Sequence, residues 1–156
     1  MSQEGQKSAI LVVDDIEANA ELLRAHLANP DWEIRIALSG TAALAEIARA
    51  EPDIVLLDIM MPDISGYEVC RRLKTDERLR DVPIIMVTAL TEVEDVQKAV
   101  EAGTDDFLSK PVNRVELVTR VKSLLKMRHL KSQLAATMAQ LDELEGRARG
   151  AADGRR

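Results

Sequence analysis

One cysteine, three aromatic residues and seven glycines are all that this 156-residue chain has of the residue types that build disulfides, stacking platforms and nucleotide-cradling loops. Cys70 has no partner for an internal disulfide, and no Cys/His cluster shows zinc-ligand spacing. Trp32, Tyr67 and Phe107 cannot form a stacking surface for single-stranded nucleic acid, so the core must be aliphatic. The N-terminus MSQEGQKSAILVVDD lacks an apolar signal region and a small-residue cleavage site. No apolar run approaches the roughly 18 residues of a membrane span. A reducing, cytoplasmic setting away from membranes is therefore expected.

Apolar residues make up 46% of the chain, enough for one core at this length, so one domain with an appendage is expected. The net charge of −6 is unevenly spread. Residues 1–112 carry 11 basic and 22 acidic side chains, whereas 113–156 carry 10 basic and 5 acidic ones. Body and appendage thus differ in sign of charge.

Five short apolar runs punctuate the body: Ala9 to Val13, Ile34 to Ala37, Ile54 to Leu57, Ile84 to Val87, and Phe107-Leu108. The first, third and fourth are continuous and rich in β-branched residues, the pattern of strands buried on both faces. The second alternates and contains Arg35, which places it nearer an edge. Between the runs, apolar residues recur at helical spacing, as in Ile16, Ala20, Leu23 and Leu27. This alternation predicts right-handed βαβ crossovers on one five-stranded parallel sheet, an α/β fold.

From Val112 to about Glu145 the chain has no Pro or Gly. One helix of roughly 33 residues, about 50 Å long, is expected there. Leu117, Val121 and Leu124 would pack on the sheet. Met127, Leu130, Leu134, Thr137, Leu141 and Leu144 then follow alternating three- and four-residue steps, an a/d seam suited to a dimeric coiled coil. The expected organisation is a flexible 1–7, a globular domain over 8–126, a helical extension over 127–146 and a flexible Gly/Arg/Ala tail over 147–156.

In open α/β sheets, ligands bind outside the carboxyl ends of the strands. The residues just past the runs are Asp14 and Asp15, Asp58, Thr88 and Lys110. Three carboxylates, a hydroxyl and an ammonium would meet on one rim. Crowded carboxylates raise one another's pKa unless a cation intervenes. A hard divalent ion with oxygen ligands suits them, and Mg²⁺ keeps positions open for water and a phosphoryl oxygen. Lys110 and Thr88 could hold the remaining phosphoryl oxygens. The first turn, Asp-Asp-Ile-Glu, has no phosphate-binding glycines, which argues against a nucleotide there.

The segments ILVVDD, DIVLLDIMMPDISGYEV, PIIMVTAL and GTDDFLSKP resemble those of the response-regulator receiver domain of two-component signalling, over about residues 8–128. The resemblance implies a flavodoxin-like sheet of order 2-1-3-4-5. It implies that Asp58 is phosphorylated by a sensor histidine kinase or a histidine phosphotransfer protein. Asp15, Asp58 and the Met60 backbone carbonyl would ligate Mg²⁺, with Asp14 acting through water. Lys110 would pair with phosphoryl oxygens, and the Lys110–Pro111 bond would be cis. Thr88 and Phe107 match the switch pair, which would alter the surface of the fourth helix, fifth strand and fifth helix. Similar bacterial arrangements with an extended helix precede cyclic-dinucleotide or phosphatase output domains.

Met60 and Leu90 lie two residues past Asp58 and Thr88, bordering the path of attacking water. Neither can act as a base, so a long-lived aspartyl phosphate is expected. Cys70 reads as a small buried hydrophobe. His129 lacks a neighbouring acid to orient its ring for phosphotransfer. The basic residues Lys122, Lys126, Arg128 and Lys131 have no interleaved aromatics, so a solvated helix face is a better reading than nucleic-acid binding.

Three functions compete. The first is a regulatory module that dimerises through the C-terminal helix, with no enzymatic activity beyond slow loss of its own phosphate. The second is a stand-alone phosphoryl relay or sink. The third is a phosphohydrolase of the haloacid-dehalogenase type; it expects a DxD pair where Asp14 and Asp15 are adjacent.

Overall fold

The computed structural model describes residues 6–89 and 92–154. Strands and helices alternate along the chain: β1 (Ser8–Val13), α1 (Glu17–His26), β2 (Trp32–Ala37), α2 (Gly40–Arg49), β3 (Ile54–Leu57), α3 (Gly66–Thr75), β4 (Ile84–Thr88), α4 (Val93–Ala102), β5 (Asp106–Ser109) and α5 (Arg114–Asp153). The five strands form one parallel sheet of order β2-β1-β3-β4-β5, as expected. Strands β1, β3 and β4 occupy the three central places, which is why their apolar runs are unbroken. β2 is an edge strand, and Arg35 on it reaches Glu46 Oε1 at 3.1 Å and the Ala50 carbonyl at 3.0 Å.

Because strand side chains alternate faces, the same runs feed two cores. Leu11, Val13, Val55, Leu57, Ile84 and Met86 pack with residues of α2, α3 and α4 on one face. Ile10, Val12, Ile54, Leu56, Ile85 and Val87 pack with residues of α1 and α5 on the other. Cys70 is buried and its thiol donates to the Ala102 carbonyl, so it behaves as a core residue. Burial pushes that thiol up to about 11, which leaves it unreactive.

α5 departs from the sequence expectation at its far end. It continues through Gly146 and Gly150 to Asp153, 40 residues in all, instead of ending near Glu145. At 1.5 Å per residue it is about 60 Å long. Each glycine costs the helix roughly 1 kcal/mol relative to Ala. Ion pairs one turn apart, Glu143–Arg147 and Glu145–Arg149, oppose that cost where the tail was expected to fray. Leu117 and Val121 are buried on the sheet, and among the described residues Arg128 makes the last side-chain bonds from α5 to the body. From Met127 onward, Leu130, Leu134, Met138, Leu141 and Leu144 are each more than half exposed. Met138 belongs to this stripe although the heptad reading selected Thr137, since a position beside the seam shares its face. No described helix is long and apolar enough to cross a membrane.

Candidate functional site

The chain order of the sheet reverses between β1 and β3, and these two strands deliver the acids. Asp14 and Asp15 follow β1, and Asp58 follows β3. One oxygen from each of the three lies within 4.8 Å of the other two. Asp14 and Asp58 are buried, whereas Asp15 is exposed. Lys110, past β5, donates from Nζ to Asp14 Oδ2 at 2.7 Å and to Asp58 Oδ2 at 3.4 Å. Its backbone amide donates to the Thr88 carbonyl at 2.8 Å, which ties the end of β5 to the end of β4. The Lys110–Pro111 bond is cis. All five rim residues singled out in the sequence therefore meet at the carboxyl edge of the sheet.

Asp14 uses its second oxygen to accept the Ile16 amide at 2.9 Å, so it caps the turn into α1 while it holds Lys110. Burial pushes the Asp58 carboxyl above its ordinary value; Lys110 opposes the rise and the negative Asp14 adds to it. Burial acts to lower the Lys110 ammonium, but hydrogen bonding to Asp14 and the charges of both acids hold it above its ordinary value. Three carboxylates against one ammonium leave two negative charges. These hard oxygen donors and that charge deficit fit a divalent cation of the Mg²⁺ type.

Thr88 is buried at the end of β4. Phe107 pairs with Met86 across β4–β5 and its ring is half-buried against the α2–α3–α4 core. Met60 is 64% exposed beside the acids, whereas Leu90 lies outside the described residues.

Sequence reasoning missed Asp63. Its carboxylate accepts from the backbone amides of Gly40 and Thr41 at the start of α2, at 3.2 and 2.8 Å. Twenty-two residues separate Asp63 from Thr41, and nothing in the linear pattern connects them. Arg128 was read as part of a solvated face, yet it donates to the Pro52 carbonyl and Glu51, both at 2.7 Å.

The family model described as the response regulator receiver domain matches residues 10–122. The response regulator PleD of Caulobacter vibrioides is 43% identical over 151 residues, covering 88% of this chain and 33% of PleD. The DNA-binding dual master transcriptional regulator RpaA of Synechocystis is 36% identical over 117 residues, covering 75% of this chain and 48% of RpaA. The chain thus spans a third to a half of these curated relatives. Among solved structures, a response regulator from Chloroflexus aurantiacus superimposes with a TM-score of 0.74 at 36% identity, covering 78% of this chain and 99% of that one. A CheY-like receiver domain protein from Methanospirillum hungatei gives 0.75 at 28% identity, covering 81% and 99%.

Proposed function

Since the chain belongs to the response regulator receiver domain family, we propose that it is a phosphorylation-controlled switch in which Asp58 accepts a phosphoryl group from a phosphohistidine. The observation that carries this reading is the buried Asp58 carboxylate, 3.4 Å from the Lys110 ammonium and grouped with Asp14 and Asp15. Mg²⁺ held by Asp15, Asp58 and the Met60 carbonyl, with Asp14 acting through water, would supply positive charge for the phosphoryl oxygens. Asp58 forms an O–P bond as the N–P bond of the donor breaks, and the departing imidazole is left to take up a proton. Lys110 is placed to meet one phosphoryl oxygen as a point charge and Thr88 to donate to another. The chain is not itself a catalyst for other substrates in this reading.

The donor is a sensor histidine kinase or a histidine phosphotransfer protein. Exposed Ile16, Leu22 and Met60 around the acids offer an apolar collar for a helical partner. Met60 cannot activate water, which supports a slowly lost phosphate, with a half-life of many minutes rather than seconds.

Output passes through the α4–β5–α5 surface. Thr88 moving toward the phosphoryl group lets Phe107 move inward, a local charge change biasing a two-state surface. α5 leaves that surface as a long helix with an unpartnered apolar stripe, which suits a second copy of this chain as the partner. Nucleic acid is a poorer partner, because Arg120 and Arg128 are already paired with Asp106 and Glu51.

Intact mass after acetyl phosphate and Mg²⁺ tests the acceptor: one phosphoryl group on the wild type and none on Asp58→Asn are expected. Sedimentation velocity with and without beryllofluoride tests the output. A monomer-to-dimer shift lost in Asp58→Asn supports the switch, a dimer throughout makes the helix a constitutive dimeriser, and a phosphorylated monomer throughout replaces the switch with a relay. Failure of wild type to take phosphate overturns the acceptor role.

A further inference from the structure

The loop of residues 59–65 leaves β3 directly after Asp58 and returns as α3. Its neck is tightly closed. The Gly66 amide donates to the Ile59 carbonyl at 2.8 Å, and a Cβ at Gly66 would stand 2.2 Å from the Asp58 carbonyl oxygen. The start of α3 therefore presses on the backbone of the acceptor residue itself, and no side chain fits between them. In the outer part of the loop Met61 and Ile64 pack against the α2–α3–α4 core, whereas Met60, Pro62 and Asp63 are exposed.

Asp63 adds a polar anchor. Its two oxygens accept the Gly40 and Thr41 amides, at 3.2 and 2.8 Å. Gly40 and Thr41 are the first residues of α2, whose amides have no partner within the helix. The α2 N-terminus also favours a negative charge. The loop sits directly on this end: a Cβ at Gly40 would come within 2.3 Å of Ile64 Cγ1 and 3.0 Å of the Ile64 carbonyl oxygen. α2 already has an ordinary cap, since Ser39 Oγ accepts the Ala42 amide at 3.0 Å. A second cap brought from another loop is not needed to start the helix, but it does fix that loop in place.

We propose that Asp63 is a positioning residue for the cation side of the site, pinning the Met60 loop to the N-terminus of α2 so that the acceptor backbone and the Met60 carbonyl are held ready for Mg²⁺. This rests on the acceptor reading above, and it assigns Asp63 no contact with the ion or the phosphoryl group.

The test compares Asp63→Ala, Asp63→Asn and Ser39→Ala with wild type in the full chain. Mg²⁺ binding is followed by amide correlation spectra, which need no chemistry, and in parallel by the Mg²⁺ dependence of phosphorylation from acetyl phosphate. Asp63→Ala is expected to weaken Mg²⁺ binding about tenfold, the low end for residues that orient a metal ligand. The rate at saturating Mg²⁺ should stay within about twofold of wild type, the signature of lost binding rather than lost chemistry. Asp63→Asn, which keeps an acceptor and loses the charge, should fall between the two. Ser39→Ala weakens the cap of the same helix without touching the loop, so it should lower the thermal midpoint and leave Mg²⁺ binding unchanged.

Equal Mg²⁺ binding by wild type and Asp63→Ala would overturn the role of Asp63 while leaving the acceptor reading intact. Equal weakening by Ser39→Ala would overturn it too, by reducing the effect to helix stability. Should Asp63→Ala not fold, Asp63→Asn decides by the same comparison. A wild-type protein that takes up neither Mg²⁺ nor phosphate would overturn the acceptor reading, and the role of Asp63 with it.

Discussion

Lys110 is bonded more closely to Asp14, at 2.7 Å, than to Asp58, the proposed acceptor, at 3.4 Å. Asp14 is 1% exposed, so its charge has lost most of its water and the ammonium stands in for it. The residue proposed to grip the phosphoryl group is thus parked on a neighbouring acid, leaving Asp58 less compensated. That arrangement costs stability at the proposed site of phosphoryl transfer, a pattern common at functional sites.

Asp58→Asn should therefore raise the thermal midpoint in Mg²⁺-free buffer near neutral pH. The folded-state pKa of Asp58 lies above the unfolded value, so ionised Asp58 opposes folding at pH above both. As pH falls through the folded value the native carboxyl protonates and the handicap disappears. The advantage of Asn should accordingly shrink toward about pH 4, where model carboxyls titrate. Calorimetric scans at the two pH values check this; an equal midpoint at neutral pH would count against it.

Lys110→Ala leaves the buried Asp14 without its ammonium partner. A loss of about 1–3 kcal/mol is expected in Mg²⁺-free buffer, the usual cost of an unsatisfied buried group. Mg²⁺ should then stabilise Lys110→Ala more than wild type, because a divalent ion replaces the missing charge. Thermal midpoints across a Mg²⁺ series measure this, and a smaller Mg²⁺ response in the variant would refute it.

Gly66→Ala and Gly40→Ala should differ in kind. At Gly66 the new methyl meets backbone of Asp58 and Ile59, which cannot step aside. A cost above about 3 kcal/mol, or failure to fold, is expected, since tight cores answer overpacking with strain. At Gly40 the nearest atom belongs to the Ile64 side chain, so Ile64→Ala should recover part of the loss. Urea unfolding of the singles and the double reads the coupling; strictly additive losses would show that the contact is not the cause.

Arg128→Ala should lower stability by about 1–3 kcal/mol, since it abandons the Pro52 carbonyl and two acids at once. Glu51→Ala should cost no more than about 0.5 kcal/mol, as for ordinary surface changes. The ranking in thermal midpoint is the check, and a Glu51→Ala loss equal to that of Arg128→Ala would contradict it.

Much of this molecule was legible in the linear sequence. Short, continuous β-branched runs bounded by turn residues are the pattern of strands covered on both faces, and helical spacing between them points to crossovers, so the parallel sheet and its rim followed. Asp14, Asp15, Asp58, Thr88 and Lys110 were found because strand ends are local features and ligands gather at one edge of such a sheet. The α5 seam was legible for the same reason, as spacing along one helix. Its end was not, because Gly146 and Gly150 signal a stop that pairs such as Glu143–Arg147 oppose one turn away.

The remaining relationships depend on which parts of the chain come together in space. Whether Lys110 prefers Asp14 or Asp58 depends on the depth of each acid, and depth is a property of the packed sheet. Asp63 reaches Thr41 only because the loop after β3 lies over the start of α2, and Arg128 reaches Glu51 only because α5 passes the loop before β3. Periodicity reports which face of an element is buried, since burial is decided residue by residue. Pairing across 22 or 77 positions is decided by where folded elements lie, and only the tertiary structure contains that distance.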